Sequence, residues 1–165
     1  MTDHNIYIFT RAVRSGKTTT LQQWLRNNNV HAGGILTPDI EGKRMLYDIA
    51  ENQFYHMEAE DDMPDSECLL VGRYRFLKRA FAIGREILER DLERQPEWMI
   101  IDEVGTLELQ ENTGLEPSVT HVINSYNNSS HSKKLMLVIR NYLLDEACER
   151  YGLNTDMIIN DNFFE

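Results

Sequence analysis

A chain of 165 residues, 41% of them apolar, is long enough to bury one full core and too short for two ordinary ones, so a single domain over 1–165 is expected. A net charge of −10 argues against a nucleic-acid partner, and it leaves any anionic ligand to be drawn in by local cations rather than by the global field. No apolar run approaches the ~20 residues that span a bilayer, and no basic-then-apolar leader opens the chain, which predicts a cytoplasmic protein off the membrane.

The first element is a strand over 5–10, carried by Ile6-Tyr7-Ile8-Phe9. It runs into Ser15-Gly16-Lys17-Thr18-Thr19-Thr20 and then into an amphipathic helix over about 17–27, closed by Asn27-Asn28-Asn29. Strand, loop and helix in that order form a phosphate-binding loop, in which backbone N–H groups surround the phosphates, the lysine reaches the β and γ phosphates and the following hydroxyl ligates Mg²⁺. Lys17 and Thr18 fill those two roles, with Arg14, Ser15, Gly16 and Thr19 beside them. The full pattern G-x-x-x-x-G-K-[ST] asks for a glycine where this chain has Arg11.

Residues 32–38 and 44–49, separated by the turn signal Glu41-Gly42, read as a hairpin that a strand near Gln53–Met57 extends. The acidic stretch 58–67 reads as a solvated loop. Cys68–Val71 is a short strand and Gly72 a break, after which Leu77, Ala80, Phe81, Gly84, Ile87, Leu88 and Asp91-Leu92 keep a helical rhythm up to Gln95-Pro96. Most arginines of this helix are expected on its wet face, paired with Glu86, Glu89 and Glu93. Arg73 and Arg75 fall in the turn before it, where a side chain can reach a phosphate.

Trp98-Met99-Ile100-Ile101 then runs into Asp102-Glu103. An unbroken apolar run is the mark of a strand buried on both faces of a parallel sheet, and nucleotides bind at the carboxyl edge of such strands. Asp102 is placed to hold Mg²⁺, and Glu103 to orient and deprotonate an attacking water. Downstream come Gly105–Leu109, a helix from about Gly114–Pro117 to Asn127, a polar loop, and a buried strand Leu135–Ile139 that brings Arg140 to the same edge as Asp102. A helix over 143–151 closed by Gly152 and a short strand over 157–159 complete the chain. Strands alternating with helices predict an α/β domain on a mostly parallel central sheet with an added antiparallel hairpin. Cys68 and Cys148 read as small buried residues of a reducing compartment, and the five histidines show no metal-site spacing.

With both signatures in place, the chain resembles the THEP1-like nucleoside-triphosphatases, a RecA-like branch of the P-loop proteins. The resemblance rests on Ser15-Gly16-Lys17-Thr18-Thr19, Gly33–Pro38, Val71-Gly72-Arg73-Tyr74 with Phe81, Ile101–Leu109, and Val138-Ile139-Arg140 with Leu143-Leu144. It implies a three-layer P-loop NTPase fold and Mg²⁺-dependent hydrolysis of nucleoside triphosphates, with loose base selectivity and slow turnover. The family usually has glycines where this chain has Arg11 and Arg14. The expected machinery is Lys17 on the β/γ charge, Thr18 and Asp102 on Mg²⁺, Glu103 as base, and Arg140 or Arg73 as transition-state cation. A small-molecule kinase is the first alternative, since Arg14-Ser15-Gly16-Lys17 is also similar to the core of adenosylcobinamide kinases. A nucleotide-gated binding module without hydrolysis is the second.

Overall fold

An apolar run without alternation needs cover on both faces of a sheet, and the two-residue side-chain period then deals its residues to two separate cores. The computed structural model, which describes residues 5–11, 17–128 and 132–165, with side chains at all of these but 11, 17 and 161, shows that division. The strands are β1 (Ile6–Arg11), β2 (Ala32–Leu36), β3 (Asp39–Ile40), β4 (Lys43–Asp48), β5 (Gln53–His56), β6 (Cys68–Val71), β7 (Tyr74–Leu77), β8 (Trp98–Val104), β9 (Lys134–Arg140) and β10 (Ile158–Ile159). The helices are α1 (Lys17–Asn27), α2 (Lys78–Arg94), α3 (Thr106–Gln110), α4 (Ser118–Asn127) and α5 (Leu144–Tyr151). No described helix is long and apolar enough to cross a membrane.

The main sheet runs β10-β1-β9-β8-β2-β4-β3, with β5 also paired to β4. Its first five strands are parallel neighbours, and β4 joins β2 antiparallel. Ile6, Ile8, Met99, Ile101, Leu135, Leu137 and Ile139 pack under α2, α4 and α5, whereas Phe9, Trp98, Ile100, Met136 and Val138 pack under α1. Three layers result. On the α1 face, Trp24 stands edge-on to Trp98 at 5.2 Å, and the 3₁₀ turn Asp161–Phe164 adds Phe163 and Phe164 to the same aromatic group.

Several local expectations change. The first arm of the hairpin is split at Thr37-Pro38 into β2 and β3, and only β3–β4 turns tightly, through Glu41 (φ 52°) and Gly42 (φ 80°). Residues 74–77 are a strand, where a turn leading into the helix at Leu77 was expected: β6 and β7 form a separate antiparallel hairpin and α2 begins at Lys78. Tyr74 and Phe76 alternate with Arg75 and Leu77, a strand period that the arginines in this stretch obscured.

The acidic loop is tied down as well. The Arg75 guanidinium binds Asp65 and the carbonyls of Glu60 and Met63, and Ala59 N–H donates to the Arg75 carbonyl, so Met57 and Ala59 are buried beneath a charged rim.

The α2 arginines make longer-range bonds than the helical pairs expected of them. Arg90 forms 2.8 Å hydrogen bonds to both oxygens of Asp48 and also bonds Asp91. Asp91 Oδ2 accepts the Gly34 N–H at 2.8 Å, and both aspartates are buried. Buried carboxylates are tolerated only when paired and hydrogen-bonded. This cluster anchors α2 to β2 and β4. The Asp48 and then Asp91 hydrogen bonds hold the Arg90 guanidinium above its ordinary pKa. Arg94 reaches Glu51, and Glu89 meets His121.

Candidate active site

Because β1, β9, β8 and β2 are parallel, their carboxyl ends share one edge, where Arg11 is in register with Arg140 and Asp102 with Val138. Arg11 precedes residues 12–16, and α1 begins at Lys17. Arg14, Ser15 and Gly16 lie outside the described residues, as do the side chains of Arg11 and Lys17. Asp102 has the phase of Trp98 and Ile100 and therefore faces α1. The Thr18 hydroxyl donates to Asp102 Oδ2 at 2.7 Å, and the Thr37 N–H donates to the same oxygen at 3.1 Å. Asp102 is 1% exposed. One buried carboxylate thus joins the start of α1 and the ends of β8 and β2.

Glu103 is the extra residue where the β8–β9 register shifts between Asp102 and Val104. Such a bulge re-aims a side chain at a strand end. Its Oε1 lies 2.6 Å from Arg140 Nε, and Arg140 Nη1 donates to the Tyr142 hydroxyl at 3.5 Å. Burial works against the Arg140 charge. Glu103, followed by Tyr142 and Tyr74, outweighs it and holds the guanidinium above its ordinary pKa.

Thr18, Thr19, Glu103 and Arg140 line one cleft of about 990 Å³. Arg73 and Tyr74 line it too, with the Arg73 guanidinium donating to the Tyr74 hydroxyl at 3.3 Å. Arg75 is not part of the lining, because it points to the other side of β7. The sequence placed the two arginines together; Arg73 stands in the turn before β7, whereas Arg75, within β7, turns away from Tyr74 and toward Asp65.

Glu108, which also lines the cleft, is a titratable group that reasoning from sequence missed. It is 3% exposed, and its carboxylate accepts the N–H groups of Gly105 and Leu115, each at 2.9 Å. It occupies the N3 position of α3, where a glutamate reaches back to the cap residue; a glutamate three residues after Gly105 was the available signal. Burial pushes its carboxyl up to about 7, Glu116 adding to a rise that the backbone hydrogen bonds oppose.

An unfolded Glu108 ionises near the ordinary carboxylate range, so above that range and up to about pH 7 the folded protein alone keeps the proton. Stability from this group is therefore lost as pH rises, by at most about 3 kcal/mol. Urea unfolding of wild type and Glu108→Gln, from about pH 5 to about pH 8, is expected to show wild type losing ground to the variant with rising pH. A difference that stays flat would remove burial of the Glu108 charge as a stability term.

A family model described as NTPase matches residues 6–154 of the chain. The fold is similar to the crystal structure of THEP1 from the hyperthermophile Aquifex aeolicus, with a TM-score of 0.70 at 17% identity over 94% of this chain and 88% of that one. It is also similar to the solution structure of a human cancer-related nucleoside triphosphatase, with a TM-score of 0.62 at 15% identity over 99% and 94% of the two chains. At these identities the likeness is one of fold. No curated protein matches the sequence.

Proposed function

From the premise that this chain belongs to the NTPase family, whose model spans residues 6–154, we infer that it hydrolyses nucleoside triphosphates to the diphosphate and phosphate with Mg²⁺. The observation that carries the reading is the Thr18 hydroxyl held at 2.7 Å from a buried Asp102 at the head of α1. A hydroxyl and a carboxylate are hard oxygen donors, suited to Mg²⁺ rather than to a soft metal. Thr18 and Asp102 would hold the ion, which when bound neutralises charge on the β and γ oxygens.

The remaining roles are those that the sequence motif implies. Lys17, at the first turn of α1, brings a cation to the β/γ phosphates, and Arg14, Ser15, Gly16 and Thr19 supply the rest of the phosphate cradle. Glu103 takes the proton of the attacking water. Arg140 fixes the Glu103 carboxylate by the 2.6 Å ion pair and brings a guanidinium to the site where charge develops.

Phosphate release from ATP, GTP, CTP and UTP, with and without Mg²⁺, tests this reading on wild type beside Lys17→Ala. Turnover that needs both Mg²⁺ and Lys17 is expected, with triphosphate binding weakened in the variant. Turnover indifferent to Lys17 sinks the assignment.

A further inference from the structure

The cleft takes in Thr18 of the candidate triphosphate site and extends beyond it to the β6–β7 hairpin. A water occupies about 30 Å³, whereas the cleft's volume of about 990 Å³ lies at the top of the range for small-molecule pockets, about 300–1,000 Å³. Its placement matters as much as its size. In phosphoryl transfer the nucleophile approaches the γ-phosphorus opposite the departing oxygen, and Glu103, the candidate base, lines the same cleft as Thr18. The cleft is walled in part by the β6–β7 hairpin through Val71, Tyr74 and Phe76, by Met57, and by Phe81 of α2. Among the described residues, none of its lining comes from β10 or the turn after it, which flank β1 on the opposite side.

The wall has a specific chemistry. Tyr74 and Phe76 share one face of β7, their rings within 6° of parallel and their centroids 6.0 Å apart, and Phe81 stands against Phe76 at 6.3 Å and 77°. Flat aromatic surface of this kind suits a planar ring system, and base-on-aromatic stacking contributes about 1–3 kcal/mol per base. Tyr74 is 40% exposed, with the Arg73 guanidinium over its ring at 5.2 Å from the centroid. The Glu103 carboxylate, a proton acceptor for an O–H, lines the same cleft.

We propose that this chamber binds a nucleoside as phosphoryl acceptor, its base against the Tyr74 and Phe76 rings and its primary hydroxyl toward Glu103, and that the protein transfers the γ-phosphate to that hydroxyl. The proposal rests on the triphosphate reading of Thr18 and Asp102. The hydroxyl oxygen bonds to the γ-phosphorus as the bond from that phosphorus to the β–γ bridging oxygen breaks. The bridging oxygen keeps the electron pair and departs on the nucleoside diphosphate, while the hydroxyl proton passes to Glu103 and then to solvent. Water replaces the nucleoside when none is bound, and hydrolysis is the residual reaction.

The test follows the label of γ-radiolabelled ATP with Mg²⁺ and adenosine, cytidine, guanosine or uridine at about 1 mM, a usual upper KM. At least one nucleoside is expected to take label as its monophosphate about tenfold faster than water does, the advantage of a positioned reactant. Tyr74→Ala is expected to raise that nucleoside's KM about tenfold, through lost stacking. A binding titration supplies the second readout: the nucleoside saturates protein already loaded with a non-hydrolysable ATP analogue.

Phosphate release with no labelled nucleoside overturns the proposal and leaves the hydrolase reading standing. Competition between nucleoside and analogue for one site also overturns it, because the chamber is then the base pocket of the triphosphate itself. Failure of the protein to bind triphosphate at all overturns both.

Discussion

Glu103→Gln is expected to retain triphosphate binding and to lower kcat by about 100-fold, within the range usual for a lost general base. The amide keeps the size of the carboxylate and loses the capacity to take a proton, so chemistry suffers while the phosphate contacts around Thr18 and Asp102 stay in place. A second consequence comes from Arg140, whose Nε lies 2.6 Å from the Glu103 carboxylate. Removing the negative partner leaves a half-buried guanidinium facing a neutral group, which can add a modest binding change of either sign. Single-turnover phosphate release separates these effects from titration with a non-hydrolysable analogue. Unchanged single-turnover release removes Glu103 from the mechanism. A large loss of affinity with normal chemistry in the bound fraction would instead reassign it to nucleotide binding through Arg140.

The parts of this site that were legible in the sequence are those written in contiguous residues. Trp98–Ile101 announced a strand covered on both faces because all four are apolar, and Asp102 followed by Glu103 marked its polar end. Helix α1 and the register that brings Arg140 to the same edge followed from equally plain runs. What stayed hidden depends on pairing across the fold. In β7 the alternation was obscured by Arg75, whose guanidinium makes its contacts with a loop some ten residues back in the chain. Asp91 fell within the helical rhythm of α2 and Glu108 within the Ile101–Leu109 block, but no local pattern shows that Gly34 N–H or Leu115 N–H will meet these carboxylates in the interior. The cleft itself is assembled from the ends of β2, β8 and β9 and from a hairpin outside the main sheet, so no single stretch of sequence encodes its volume.

Gly34→Ala is expected to be the most destabilising single-methyl change in the sheet, removing at least about 4 kcal/mol, a large share of the roughly 5–15 kcal/mol that holds an ordinary domain together. Gly34 has φ +92°, where a side chain is strained whatever the space, and a Cβ there would lie 2.0 Å from the Ile100 carbonyl oxygen and 2.8 Å from the Ile100 nitrogen. Both atoms belong to the backbone of β8, so no rotamer change relieves the contact; β2 must move away from β8. That movement pulls on the Gly34 N–H to Asp91 bond and on the Thr37 N–H to Asp102 bond, coupling a packing defect to the candidate Mg²⁺ ligand. Gly33→Ala is the internal control. Its Cβ would meet side-chain atoms of Asp91 and Pro96 at 2.9–3.0 Å, and its φ lies outside the left-handed region, so it is expected to cost about 1–2 kcal/mol. Urea unfolding of the two variants beside wild type decides the matter. Equal losses in both would show that β2 and β8 tolerate separation at Gly34, and that the Asp102 end of β8 is positioned by contacts other than this strand pair.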